Sequence, residues 1–360
     1  MTSTSEGSGL LDGVRVLDLS VWRPGPYATQ LLAEIGADVI KVEPPGGDPM
    51  RAYPELFASL SANKRSIVLD LKSDGDRARA LELAAVADVM IEGFRPGVAA
   101  RLGVAYSDVA TGNAGIVYCS VSGMGQSGPL TLAPGHDVNY QAWAGALAPD
   151  GGVPVSSKLP IADLAGGMAA AFAICAALVR RARTGEGDYI DVAMSDVLAT
   201  WTGAAVPRAS GVDARARSVP GYGIFATRDG GYIALGVITE PHFWRGLCTV
   251  LGQPLDDCAE LDFVARMGRG DELQARVAGE IAVRSRDELV DALLAAEVPV
   301  SPVLDRREML ALPHFRERRV SSSDPWADPS VGYPVRFSDH QPARVTPPPE
   351  VDEHRGAEFF

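Results

Sequence analysis

Apolar and polar positions along the chain fall into a repeating order of short apolar runs and longer mixed segments. VRVLDLS (14–20), DVIKVE (38–43), SIVLDL (66–71), DVMIEGF (88–94) and IVYCSVSG (116–123) carry apolar residues on both faces and read as buried strands. Between them lie YATQLLAEIGA, DRARALELAAVA and VAARLG, whose apolar spacing predicts helices. Strands alternating with helices predict an α/β fold: a Rossmann-like large domain with a parallel sheet covered on both sides.

A long irregular stretch follows, and then a helix is expected from near Asp163 to about Arg183, with a strand in TGEGDYIDVAM. YGIFATRDGGYIALGV predicts a hairpin around Asp229, Gly230 and Gly231. Helical segments continue through HFWRGLCTVLG, ELQARVAGEIAV and RDELVDALLAAE. The expected organisation is a large domain over 1–200, a linker over 201–220, a smaller α+β domain over 221–319, and a Pro-rich tail (320–360) that returns to the large domain.

Composition narrows the classes of function. The chain has 360 residues, 46% hydrophobic and 22% charged, with a net charge of −13. That balance predicts neither a nucleic-acid partner nor an acidic membrane surface as partner. The opening MTSTSEGSG has no basic and apolar leader pattern, so a cytoplasmic setting is expected. Leu164 to Val179, the longest apolar run, has 16 residues, fewer than the roughly 20 that span a bilayer. Cys119, Cys175, Cys248 and Cys258 are scattered without metal-ligand spacing. No metal and no separate cofactor is expected.

Gly123, Gly125 and Gly128 spell GxGxxG after a strand, but Pro129 and Pro134 stop the helix that a dinucleotide site requires. Asp163 precedes an Ala-rich helix and reads either as its N-cap or as a reactive carboxylate. Gly166 and Gly167 would leave the first turn bare, a place where an oxyanion can rest. His136 reads either as a loop residue or as a base, with Asp137 or Glu240 able to fix its tautomer. The basic residues Lys41, Lys64, Arg65, Lys72, Arg95 and Arg101 fall at or after strand ends, where open α/β sheets bind ligands, and are candidate phosphate contacts.

In order along the chain, LDGVRVLDLS, GPYATQLLAEIGADVIKVEPPGGDPMR, ANKRSIVLDLKS, DVMIEGFRPGVAARLG, SGMGQSGP, GHDVNY, ADLAGG, RTGEGDYIDVAM and EPHFW resemble the family III CoA-transferase superfamily. Gly135-His136-Asp137 resembles its alpha-methylacyl-CoA racemase branch. That resemblance implies an acyl-CoA substrate and proton transfer at the alpha carbon by His136 and Asp163. Glu240 and Asp137 would support the histidine, with Tyr222 nearby. It also implies an obligate homodimer of two interlocked chains. The alternative is a CoA-transferase that uses Asp163 as a covalent nucleophile. Leu159 stands where the racemase pattern has asparagine, and KLPIAD resembles many transferases.

Overall fold

The computed structural model describes residues 9–147, 154–203, 218–318, 333–340 and 346–359. Most of the linker expected over 201–220, and much of the tail, lies outside them. The chain divides into two compact units. One comprises Met1–Arg208 with His314–Phe360, the other Ala209–Pro313.

The first unit is built on six strands: β1 (Arg15–Asp18), β2 (Asp38–Glu43), β3 (Lys64–Val68), β4 (Val89–Glu92), β5 (Val117–Ser122) and β6 (Asp188–Ala193). Their order is β3-β2-β1-β4-β5-β6, and every pairing is parallel. This is the doubly wound arrangement expected, and its order reverses between β1 and β4. The helices are α1 (Pro24–Glu34), α2 (Pro54–Ser61), α3 (Asp74–Val86), α4 (Val98–Leu102), α5 (Tyr106–Gly112), α6 (Asp137–Trp143), α7 (Ile161–Thr184) and α8 (Met194–Gly203).

Two apolar layers flank the sheet. Val16, Val39, Val89, Ile91 and Val117 pack with α1 and α7 on one face, while Leu17, Ile40, Met90 and Tyr118 pack with α3 and α5 on the other. Continuous apolar strands are what such double coverage requires. The edge strand β3 is covered by the chain's own end. The Val68 amide donates to Asp352 Oδ1 at 2.9 Å, and the His354 amide donates to the Ser66 carbonyl at 2.9 Å. Covering an edge this way removes a template for strand addition.

The buried residues of α7 are Ala162, Ala165, Gly166, Gly167, Ala170, Ala171 and Ile174. Small residues allow the close approach: a Cβ at Gly167 would lie 2.5 Å from the Pro24 carbonyl oxygen of α1. The 16-residue apolar run is thus part of a 24-residue helix, long and apolar enough by length and composition to cross a membrane.

The second unit holds an antiparallel sheet of β7 (Tyr222–Ala226), β8 (Tyr232–Gly236) and β9 (Val300–Pro302). Around it lie α9 (Pro241–Leu251), α10 (Phe263–Gly268), α11 (Gly270–Ala282), α12 (Arg286–Ala295) and α13 (Arg306–Ala311). A last short helix, α14 (Pro313–Glu317), follows. Trp244 anchors this unit's core, and its indole N–H donates to the Cys258 carbonyl at 2.8 Å.

Candidate active site

A parallel sheet gathers the loops after its strands along one edge. A helix that leads back into a strand starts at that same edge. The β1–α1 loop, the β4–α4 loop and the start of α7 therefore converge where the strand order reverses. Ser20 and Gly93, just after β1 and β4, lie side by side: a Cβ on Gly93 would sit 3.5 Å from that of Ser20.

Asp163 is the third residue of α7, not its N-cap as expected; the N-cap is Pro160, which has no side-chain donor or acceptor to offer. The capping is done from outside the helix. Asp137, the first residue of α6, accepts from the amides of Ala162 (2.7 Å) and Asp163 (3.1 Å). Its second oxygen accepts from the Gln141 side chain. A carboxylate on two first-turn amides is a strong cap, because it meets orphan donors and the positive end of the helix dipole together. The Asp163 carboxyl is thereby left for other work. Among the described residues its side chain makes no hydrogen bond, and its closest charged partner is Arg23, whose Nε lies 4.0 Å from Oδ2. The two side chains are 20% and 25% exposed. Burial pushes the Asp163 carboxyl up to about 6, helped by the negative charge of Asp137 and opposed by Arg23 and His136.

His136 is the N-cap residue of α6, exposed and extended, and its amide donates to Asn139 Oδ1 at 3.0 Å. It stands close enough to act electrostatically on Asp163. Asp137 was expected to support the histidine, but among the described residues it makes no hydrogen bond to the His136 ring; its carboxylate oxygens are engaged with α7 and Gln141. Tyr140 backs the site: its hydroxyl donates to the Gly135 carbonyl at 2.6 Å, and its ring lies against Gly123, where a Cβ would collide with it. The glycine-rich loop after β5 thus gives room to an aromatic ring, not to a pyrophosphate.

Gly166 and Gly167 also differ from expectation. They lie a turn beyond Asp163, facing Met194 and Pro24, and serve close helix packing. Glu240 and Tyr222 belong to the second unit. Glu240 is the N-cap residue of α9, and one of its carboxylate oxygens is buried with no hydrogen bond among the described residues. Its charge acts on the buried guanidinium of Arg266.

The six basic candidates separate into two groups. Lys41 is fully buried, paired with Asp48 at 2.7 Å and donating to the Ser20 carbonyl at 2.9 Å. Lys64 is buried against Asp18 (3.4 Å), Thr29 (2.7 Å) and the Pro26 carbonyl (2.8 Å), and burial lowers it to about 8 despite Asp18. Arg65 clasps Asp38 and donates to the Glu358 carbonyl at 2.7 Å. These three hold the fold together and are corrected as phosphate contacts. Lys72, Arg95 and Arg101 are exposed on the loops and helix that follow β3 and β4, at the carboxyl edge.

Arg23 was not singled out from sequence. Its signal is a basic residue between a strand end and Pro24-Gly25-Pro26. Trp22, just before it, holds φ at +65°, uncommon for a bulky residue. The turn is held rigidly: Lys41 ties down the Ser20 carbonyl, and Gly25 sits so close to Ser20 that no side chain fits.

The sequence model of CoA-transferase family III matches residues 11–355. The chain is 34% identical to an acetyl-CoA:oxalate CoA-transferase of Acetobacter aceti, with 99% of this chain and 96% of that protein covered. It is 32% identical to a succinyl-CoA:mesaconate CoA-transferase of Haloarcula hispanica, over 96% and 95%. A crystal structure of a CAIB/BAIF family protein from Brucella suis superposes with a TM-score of 0.86 at 28% identity, covering 97% of this chain and 98% of that one. The two relatives from Acetobacter aceti and Haloarcula hispanica are named as transferases, which overturns the expected racemase. In the structure the aspartate of Gly135-His136-Asp137 caps the first turn of α7, and its histidine occupies the N-cap position of α6.

Proposed function

This chain belongs to CoA-transferase family III, and on that premise we propose that it moves CoA from an acyl-CoA to a free carboxylic acid, with Asp163 as the nucleophile. The observation that carries the reading is the Asp163 carboxyl itself. It is largely buried, free of hydrogen bonds among the described residues, and beside a guanidinium at 4.0 Å. A carboxylate raised to about 6 is ionised at neutral pH yet more basic than an ordinary aspartate, as a nucleophile should be.

Asp163 attacks the thioester carbonyl: a C–O bond forms, the C–S bond breaks, and CoA leaves as its thiolate. The thiolate then attacks the Asp163 carbonyl of the mixed anhydride and releases the first acid. The second acid attacks the resulting aspartyl-CoA thioester, and the returning thiolate takes its acyl group. No net proton moves, so no acid/base pair is required, and the proton-transfer roles expected of His136 and Glu240 fall with the racemase. Lys72, Arg95 and Arg101 are the residues we assign to the CoA phosphates, on their exposure at the carboxyl edge. The substrates named for the relatives favour dicarboxylic acids such as oxalate and succinate as partners.

An interlocked homodimer is part of the proposal. Its support is an apolar stripe along α7, where Met168, Phe172 and Val179 are 52%, 78% and 57% exposed, an arrangement that suits a protein partner. The test is incubation with acetyl-CoA or succinyl-CoA and each of oxalate, succinate, glutarate and mesaconate, followed by mass analysis of the thioesters. Hydroxylamine should trap Asp163 as a hydroxamate in the acyl-CoA-treated enzyme. Absence of transfer to every acid, with no trapped Asp163, would remove the reading.

A further inference from the structure

We propose that Arg23 is the receptor for the acid's carboxylate, and that it takes up that role only when Asp163 is acylated. The inference rests on the transferase reading. Arg23 is three-quarters buried, and no hydrogen bond to its side chain is present among the described residues. A guanidinium has five donors in a planar fork that matches a carboxylate in two parallel bonds. Here the fork meets only the long 4.0 Å approach to Asp163. Such a cation, held by a turn that Lys41, Pro24 and Pro26 make rigid, is poised for an anion that is not yet present.

The charge around it alternates during the reaction. In the free enzyme Asp163 and Asp137 both stand at the corner as carboxylates. A substrate carboxylate arriving there meets two negative charges and a guanidinium already attracted to Asp163. Once Asp163 carries CoA as a thioester, its charge is gone. Asp137 remains committed to the α7 amides and Gln141. Arg23 is then a partly buried cation without its neighbour, beside the carbonyl that the acid must attack. It accepts the acid's carboxylate and sets one oxygen toward that carbonyl. As the C–O bond forms, the C–S bond breaks and CoA departs as thiolate, so the charge lost from the acid reappears on sulfur. When the acyl group has passed to CoA, Asp163 regains its charge and reclaims Arg23. The alternation favours acid binding after acylation, and so a ping-pong order.

Two measurements test this. In steady-state transfer from acetyl-CoA or succinyl-CoA, Arg23→Gln should raise KM for the acid at least tenfold, and leave KM for the acyl-CoA within about twofold. Arg23→Lys should recover part of the loss, and a matched thermal stability would exclude misfolding. In direct titrations of oxalate, succinate and glutarate, Asp163→Asn imitates the uncharged acylated state. It should bind at least one of these acids tenfold more tightly than wild type, and Arg23→Gln in that background should abolish the gain. An unchanged acid KM in Arg23→Gln, a rise confined to the acyl-CoA KM, or equal acid binding by wild type and Asp163→Asn would each overturn the proposal. A wild-type enzyme that passes CoA to no acid would instead defeat the transferase reading, and this inference with it.

Discussion

Replacing the nucleophile should make the protein more stable. The Asp163 carboxyl is raised to about 6, chiefly by burial and then by Asp137. A raised acid binds its proton more tightly in the folded chain than in the unfolded one. Its favourable contribution is therefore full below the unfolded value near 4, and is lost as pH rises through about 6. At pH 8 the folded protein carries the whole penalty of the charged form. A displacement of roughly two pKa units corresponds to about 3 kcal/mol, a ceiling because one-fifth of the side chain remains in contact with water. Asp163→Asn removes the charge and keeps the shape. No hydrogen bond to the side chain is lost among the described residues, only the 4.0 Å attraction to Arg23. The variant should be inactive in CoA transfer yet melt several degrees above wild type at pH 8, with the difference shrinking steadily toward pH 4. Thermal unfolding of both proteins across that range checks it. A variant that melts at or below wild type at pH 8, or a difference that does not depend on pH, would refute the account of Asp163 as a strained carboxylate.

The same carboxyl sets the pH profile. kcat/KM for the acyl-CoA should rise through an inflection near pH 6, and Asp137→Asn should move that inflection to lower pH by removing a neighbouring negative charge. Lys72→Ala and Arg101→Ala should raise KM for the acyl-CoA with little change in melting temperature. Lys64→Met should instead cost about 3 kcal/mol or more of stability, since it leaves Asp18 buried without its cation; denaturant unfolding separates the two outcomes. Gly167→Ala should destabilise by about 2 kcal/mol and depress transfer, because the new methyl meets the Pro24 carbonyl oxygen at 2.5 Å and pushes on the turn that carries Arg23. Gly166→Ala meets only the flexible Met194 side chain and should cost less, about 1 kcal/mol. Phe172→Glu on the exposed stripe of α7 should give a smaller species in light scattering if that stripe faces a second copy.

The parallel sheet was legible because β1 to β5 are buried along most of their length and so lack polar alternation, whereas β6 exposes Asp188, Tyr189 and Asp191. The misses have local causes. Strand β3 begins at Lys64, two residues before its apolar run, because Lys64 and Arg65 point into ion pairs with Asp18 and Asp38 that no local pattern announces. Helix α1 begins at Pro24, three residues before the apolar spacing starts, since a proline is well suited to the first helical position. Helices α2, α5 and α6 are seven or eight residues long and show too few turns for a period to emerge. Helix α8 follows β6 with no turn residue between them, so strand and helix merge into one stretch.

The site was partly legible for the same kind of reason. Asp163 announced itself as an acid at the head of an apolar helix. Arg23 did not, because its importance comes from the sheet, which brings residue 23 to residue 163 across 140 positions of sequence. The Gly-His-Asp segment shows how a true motif can support the wrong reaction. Its aspartate braces α6 against the first turn of α7 and so fixes where Asp163 stands. A transferase that needs Asp163 as a nucleophile depends on that brace as much as a racemase that needs it as an acid. The motif therefore reports the presence of the corner, and the chemistry done there depends on the charges that face Asp163. The nearest positive one is an arginine at 4.0 Å, suited to hold an acid's carboxylate while an anhydride forms at the aspartyl carbonyl and the CoA thiolate departs.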